Sequence, residues 1–406
     1  MNKIMKVGYI IPGCGISGGV AVVCQHANRL LQRGHDVILI SDSRDKEINW
    51  FPGQNVPIIT IDEYAEKFDI LVATGWSTAF KVVNLAANHK CYFVQSDETR
   101  FHEDGNNWKY ITALSYLLNF NYITEAKWIQ KWLYQYLNHE AELIPNGLDK
   151  QIFFPDKPLF PKKDKPRLLL EGAIALPYKG MSDAFEAVKD LDAEIWCVSS
   201  FGKPKPEWRC DRFFSQVPME MMRRIYSSCD ILLKLSRVEG FFGPPLEMMA
   251  CGGTVVVGKV TGYDEYIING HNALVVEPGD VSSATTAINE LINNASLRQA
   301  LIQNGLETAK LWDWEKSIDK LELFFYDLIQ NIEPYPQKKV RALCDQGIAL
   351  SFDMAAINYM RYYEAGPSVY TEPIDRLLYR IRNIGLAKIV ANLLFKMYKK
   401  FEKLIN

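Results

Sequence analysis

Within about 35 residues the chain runs from strand to glycine loop to helix and back to strand, a succession that few folds accommodate. Lys6–Ile11 is a short apolar run closed by Pro12, the pattern of a buried strand. A glycine-rich loop from Gly13 to Gly19 follows. From Val20 to Arg33 the apolar residues Val23, Ala27, Leu30 and Leu31 recur at helical spacing. Gly34 supplies the stop, and Val37–Ile40 is the next strand. This is a βαβ unit.

The alternation continues through further strands expected at Pro57–Ile61, Ile70–Ala73 and Lys90–Val94, which argues for a doubly wound parallel sheet. Ile144-Pro145-Asn146-Gly147 has the composition of a turn, and Pro155–Pro166 is rich in proline and lysine, so a domain junction is expected there. The pattern then restarts. Arg167–Leu170 reads as a strand, Ser182–Val188 as a helix, and Glu194–Ser199, Ile231–Leu235, Thr254–Gly258 and Ala273–Val276 as strands. A helical stretch from Ser296 to Gln330 closes this half. At 406 residues the chain exceeds one ordinary core. The expected organisation is two Rossmann-like α/β domains, 1–150 and 151–312, facing a cleft. A closing helix, 313–330, returns toward the first domain, and a helical extension, 331–406, is punctuated by Pro334, Pro336, Pro367 and Pro373.

Hydrophobic residues make up 48% and charged residues 23%, the balance of a soluble globular protein, and a formal charge of −2 gives no support to nucleic-acid binding. The eight cysteines form no C-x-x-C pair and read as small buried hydrophobes in a reducing compartment. No basic-then-apolar leader opens the chain, and no apolar run reaches the roughly 18 residues a membrane span needs. A cytoplasmic protein is expected. From Arg376 to Asn406, however, there are eight Lys or Arg and one acidic residue, and Leu386, Ile389, Leu393, Met397, Phe401 and Leu404 recur at gaps of three or four. A basic amphipathic helix of this kind suits the inner, anionic surface of a membrane, or equally a face packed on protein.

The densest chemistry lies at Ser236–Glu247. Glu239 and Glu247 are separated by seven residues that include Gly240 and Gly243, and Pro244-Pro245 opens an apolar helix, where a missing N–H is no loss. Free N–H groups and the helix dipole at such a start make a site for phosphate oxygens. Glu247, near the start, can accept hydrogen bonds from ribose hydroxyls, and Glu239 can hold hydroxyls of a sugar. An exposed carboxylate pair is the bland alternative. In the first half, Gly13-x-Gly15-x-x-Gly18 with Asp42 is also the fingerprint of a dinucleotide site, so a nicotinamide-dependent oxidoreductase is a rival. Such an enzyme has no reason to carry the Glu239–Glu247 helix. Gln95–Arg100 follows a strand and is expected to project into the cleft. Gln95, Asp97, Glu98 and His102 are therefore candidates for acceptor contacts, and Asp97, Glu98 and His102 for a general base, against the competing roles of helix capping and loop solvation.

The Glu239–Glu247 segment resembles the E-x7-E signature of retaining glycosyltransferase family 4, which has the GT-B fold. The resemblance extends to Gly252–Val257, Glu265 and Asn269–Val276, to Ile144–Asp149, and to Gly18-Gly19 and Arg33–Val37, so it covers about residues 5–330 in order. It implies that Glu247 binds the donor ribose, Glu239 the donor sugar, and the backbone N–H groups of Phe241, Phe242 and Gly243 the diphosphate, with Arg237, Gly240 and Pro244 also on the donor side. Gly18 and Gly19 would let backbone approach the donor phosphate from across the cleft. Lys179, in Tyr178-Lys179-Gly180, matches the lysine that neutralises the leaving diphosphate, a role a fixed cation performs well. The co-substrate implied is a nucleoside-diphosphate sugar, with no resident cofactor and no metal. The acceptor would be a glycan, polysaccharide or lipid-linked sugar, and hexosyl or deoxyhexosyl transfer would proceed with retention. Gln95 and its neighbours are similar to those of the rhamnosyltransferase-like branch. The sequence departs from the family at two places: Ile174 stands where an arginine is usual, so that either the site works with one cation or Lys234 or Arg237 replaces the missing charge, and Phe242-Gly243 stands for Gly-Leu. A non-catalytic nucleotide-sugar-binding or assembly protein is the alternative these departures raise.

Overall fold

The computed structural model describes residues 3–161, 165–331 and 335–363. The first sheet is built from β1 (Lys6–Ile11), β2 (Asp36–Ser41), β3 (Ile58–Thr60), β4 (Phe68–Ala73), β5 (Ala87–Val94), β6 (Asn121–Thr124) and β7 (Ala141–Leu143). Helices α1 (Gly18–Gln32), α2 (Trp76–Asn84), α3 (Asn107–Ser115) and α4 (Lys127–Leu137) lie between its strands in the chain. All pairings are parallel and the order is β3-β2-β1-β4-β5-β6-β7. Helices cover both faces, which is why β1 and β4 are apolar runs rather than alternating ones.

The second sheet repeats the plan with β8 (Arg167–Glu171), β9 (Glu194–Ser199), β10 (Arg212–Ser215), β11 (Ile231–Lys234), β12 (Thr254–Gly258) and β13 (Leu274–Val276), in the order β10-β9-β8-β11-β12-β13. Its helices are α5 (Met181–Val188), α6 (Met219–Ser228), α7 (Gly243–Ala250), α8 (Val281–Asn293) and α9 (Ala295–Leu311). In each sheet the strand order reverses beside the first strand, at β1/β4 and at β8/β11. Such a reversal opens a crevice at the carboxyl ends of the strands.

Three strands were not anticipated: β6 (NYIT), β7 (AEL) and β10 (RFFS). They are only three or four residues long, too short to show a pattern, and parallel pairing with a longer neighbour carries them, as in Val94↔Thr124 between β5 and β6. The expected helical stretch from Ser296 to Gln330 is two helices. It breaks before Asp313, whose side chain accepts from the N–H of Glu315 and caps α10 (Trp314–Gln330). Ile318, Leu321 and Phe325 of α10 are fully buried with Val23, Ala27 and Leu30 of α1. Glu322 adds bonds to Arg33 Nη1 at 2.8 Å and to His35 Nε2 at 2.9 Å. The chain thus leaves the second sheet and packs on the first.

Residues 1–349 form one compact unit. A further helix, α11 (Tyr335–Tyr363), follows α10. The basic segment Arg376–Asn406 and Pro334, Pro367 and Pro373 lie outside the described residues. Among the described residues, no helix is long and apolar enough to cross a membrane.

Candidate functional site

The carboxyl ends of both sheets line one cavity of about 840 Å³. On the side of the second sheet its wall begins where β8 ends in Glu171 and a short turn, Pro177–Lys179, presents Lys179. Gly180 then takes a left-handed backbone with φ +63°, and a Cβ there would lie 2.0 Å from the carbonyl oxygen of Leu235. Only glycine allows the Lys179 turn to sit this close to the end of β11.

Lys179 Nζ is 2.9 Å from both Oε1 and Oε2 of Glu239. Lys234, the last residue of β11, is buried; its ammonium bonds to Glu171 through the carbonyl oxygen at 3.1 Å and the carboxylate, and lies 3.9 Å from Glu239 Oε1. Burial alone would push the Glu239 carboxyl up, but the charges of Lys179 and Lys234 outweigh it and hold it below the usual range. Glu247 lies one turn into α7, and its Oε2 accepts from the Tyr226 hydroxyl at 3.0 Å. Burial pushes its carboxyl up to about 7. Lys179, Lys234, Glu171, Glu239, Gly243, Pro244 and Glu247 all line the cavity.

Gly18, Gly19, Gln95 and Glu98 line the opposite wall. A Cβ on Gly19 would lie 3.2 Å from the Gln95 amide. Glu98 Oε2 accepts from the N–H of Trp76 at 2.6 Å, at the start of α2, and from the Tyr92 hydroxyl at 3.3 Å. Burial pushes this carboxyl up to about 7 as well. The two walls touch around Gly240. Trp128 Nε1 donates to the Gly240 carbonyl at 2.8 Å, Arg100 Nη1 donates to Thr261 Oγ1 at 2.8 Å, and Phe101 stacks on Tyr178 at 5.1 Å.

Several expected site residues stand elsewhere. Asp97 does not line the cavity; its Oδ1 accepts from the N–H and hydroxyl of Thr99, so its carboxylate caps the Glu98–Phe101 turn. His102 is also off the cavity, edge-on to Trp76 with ring centroids 6.0 Å apart, and burial lowers its pKa. Arg237 is drawn outward by Asp183 on α5, with Nη2 2.6 Å from Oδ2, which leaves Lys234 as the second cation of the wall. Phe242 is fully buried in the second core, where a large apolar side chain is most stable. The N–H groups of Phe241 and Gly243 are not open to the cavity: the first donates to Glu125 Oε1 and the second to the Phe241 carbonyl, each at 3.0 Å. Asp42, the acid that a dinucleotide site would use, is not among the lining residues.

Sequence reasoning overlooked Glu125, Glu171, Tyr178, Tyr226 and the cavity position of Asn146. Glu171 was findable, since it ends a strand beside the switch point, where ligands bind in such sheets. Glu125 follows β6, a strand the pattern did not reveal, and Tyr226 reaches Glu247 from a different helix.

Residues 212–308 match the family Glycosyl transferases group 1. An uncharacterized glycosyltransferase of Methanocaldococcus jannaschii is 30% identical over 207 residues, 48% of this chain and 56% of that protein. An O-antigen biosynthesis protein of Myxococcus xanthus is 25% identical over 262 residues, 62% of this chain and 20% of that protein. The chain therefore spans about half the length of the first relative and a fifth of the second. Among solved structures, an Anabaena protein, HepE, in complex with UDP-glucose superimposes with a TM-score of 0.67 at 14% identity, covering 80% of this chain and all of the other.

Proposed function

The chain carries a glycosyltransferase group 1 domain within a GT-B fold, and from that premise we propose that it moves a sugar from a nucleoside-diphosphate donor to a carbohydrate acceptor in the cleft. The observation that carries the reading is that two lysines and the glutamates Glu239 and Glu247 line one wall beside the start of α7. In this reading the diphosphate lies against α7 with Lys179 and Lys234 facing its charge. Lys234 stands in for the arginine that Ile174 replaces. Glu247 accepts from ribose hydroxyls, and Glu239 accepts from hydroxyls of the sugar.

As the bond between anomeric carbon and phosphate oxygen breaks, its electron pair moves to that oxygen, and fixed ammonium groups in a water-poor cleft stabilise the charge. An acceptor hydroxyl oxygen bonds to the anomeric carbon, and its proton passes to the departing phosphate. Attack from the face the phosphate leaves retains the configuration, as the likeness to family 4 implies. Because the lysines supply the countercharge, turnover is expected to be insensitive to chelators. The Anabaena structure makes uridine diphosphate the first nucleotide to test, and the Myxococcus relative makes polysaccharide or O-antigen assembly the first setting.

The test is binding and turnover together. Thermal stabilisation by nucleoside diphosphates and not by nicotinamide dinucleotides is expected, with donor turnover lost in Lys179→Ala and Glu247→Ala. Unchanged turnover in both variants removes both residues from the site.

A further inference from the structure

Opposite Lys179 the first sheet ends in a polar cluster that the donor reading does not use. Val94 and Thr124 are register partners at the last paired positions of β5 and β6, so Gln95 and Glu125 leave the sheet side by side. The chain after β7 reaches the same end: the N–H of Ile144 donates to the Thr124 carbonyl at 2.8 Å, and Asn146 Nδ2 donates to Glu125 Oε2 at 2.8 Å. All three residues line the cavity. The other oxygen of Glu125 accepts from the N–H of Phe241, which ties the cluster to the loop between Glu239 and α7.

The hydrogen-bonding capacity of this cluster is incomplete. Gln95 Nε2 donates to the Thr74 carbonyl at 3.1 Å, yet Gln95 Oε1 is buried with no donor among the described residues. Asn146 is 5% exposed, and its Oδ1 is likewise buried without a donor. A buried acceptor left unpaired is destabilising, and folded proteins keep few of them. Two such oxygens, on residues that line one cavity, call for a ligand that brings donors. Burial chiefly pushes the Glu125 carboxyl up to about 8, and both of its oxygens are already engaged, by the N–H of Phe241 and the Asn146 amide, so a ligand meets two neutral amide oxygens, which suit hydroxyl donors.

We propose that Gln95, Glu125 and Asn146 form a hydroxyl-binding floor for the acceptor sugar, in which Gln95 Oε1 and Asn146 Oδ1 each accept from a hydroxyl. Glu125 is a positioning residue: it orients the Asn146 amide and holds the floor against the donor loop. The inference rests on the cleft being a site of glycosyl transfer. The ligand class is a neutral pyranose with at least two free hydroxyls.

The experiment uses the full chain saturated with uridine diphosphate and measures binding of methyl glycosides of glucose, galactose, mannose and rhamnose by saturation-transfer NMR. At least one glycoside is expected to bind, and Gln95→Leu and Asn146→Leu are each expected to weaken it tenfold or more. Uridine diphosphate affinity, measured by calorimetry, should change less than threefold. Gln95→Leu leaves the Glu125–Asn146 bond in place, so the test survives if Asn146→Leu fails to fold. Glycoside affinity unchanged in Gln95→Leu, or no glycoside bound by the nucleotide-loaded wild type, overturns the floor. Failure of uridine diphosphate to bind at all overturns the donor reading first, and is seen separately.

Discussion

Lys179 Nζ lies 2.9 Å from each carboxylate oxygen of Glu239, across 60 residues of sequence. The turn before Gly180 brings the lysine and the segment after β11 brings the glutamate, and Lys234 stands 3.9 Å behind. A carboxylate between two ammonium groups stays ionised although buried, and it fixes Lys179 at the cavity wall.

Lys179→Ala is expected to lower turnover about 10²–10³-fold, the cost of losing one fixed countercharge at the leaving group. Glu239 keeps Lys234, so nucleotide affinity should fall far less than the rate. Comparing kcat with the dissociation constant for uridine diphosphate separates the two. Equal losses in both would mean that Lys179 only binds.

A methyl group on Gly240 would lie 1.7 Å from the carbonyl oxygen of Gln95 and 2.9 Å from Glu125 Oε1, both on the opposite wall. Gly240→Ala should therefore force the two sheets apart. A larger radius of gyration by X-ray scattering is expected, with transfer reduced at least a hundredfold while nucleotide binding persists. An unchanged radius with full activity would show that the walls need not meet.

The Tyr226 hydroxyl donates to Glu247 at the cavity wall, so Tyr226→Phe removes one bond, about 0.5–1.5 kcal/mol, with little change of shape. Glu247→Gln removes the charge as well. If Glu247 holds ribose, nucleotide affinity should fall about tenfold in Glu247→Gln and at most threefold in Tyr226→Phe. Titration calorimetry gives both values.

The Glu125 carboxyl sits at about 8 in the folded protein, well above its usual value near 4.3 when unfolded. Between those values the folded state binds more protons. The stability this group contributes is therefore fully present below the unfolded value and is lost as pH rises through about 8. Glu247 and Glu98, at about 7, act in the same direction. The melting temperature should fall from about pH 6 to about pH 9, and Glu125→Gln should flatten that fall by about 2 °C or more. Parallel curves for the two proteins would mean that Glu125 is not the titrating group.

Residues adjacent in sequence were the legible ones. Lys179, Glu239 and Glu247 carried local signals in glycine and proline, and each lines the cavity. Asp97 and Arg237 had equally good local positions, yet neither lines it, because Thr99 and Asp183 offered each a nearer partner. Glu125 and Tyr226 had no local signal at all. Their placement comes from register and helix packing, which bring together residues far apart in the chain.

The two parallel sheets follow from the sequence itself, because an apolar strand, a glycine turn and an amphipathic helix are short-range patterns that the backbone must obey wherever they occur. Which charges share the cleft does not follow from it. That was decided by the tertiary structure, where burial pushes the carboxyls of Glu98, Glu125 and Glu247 up, while the charges of Lys179 and Lys234 outweigh burial and hold Glu239 low.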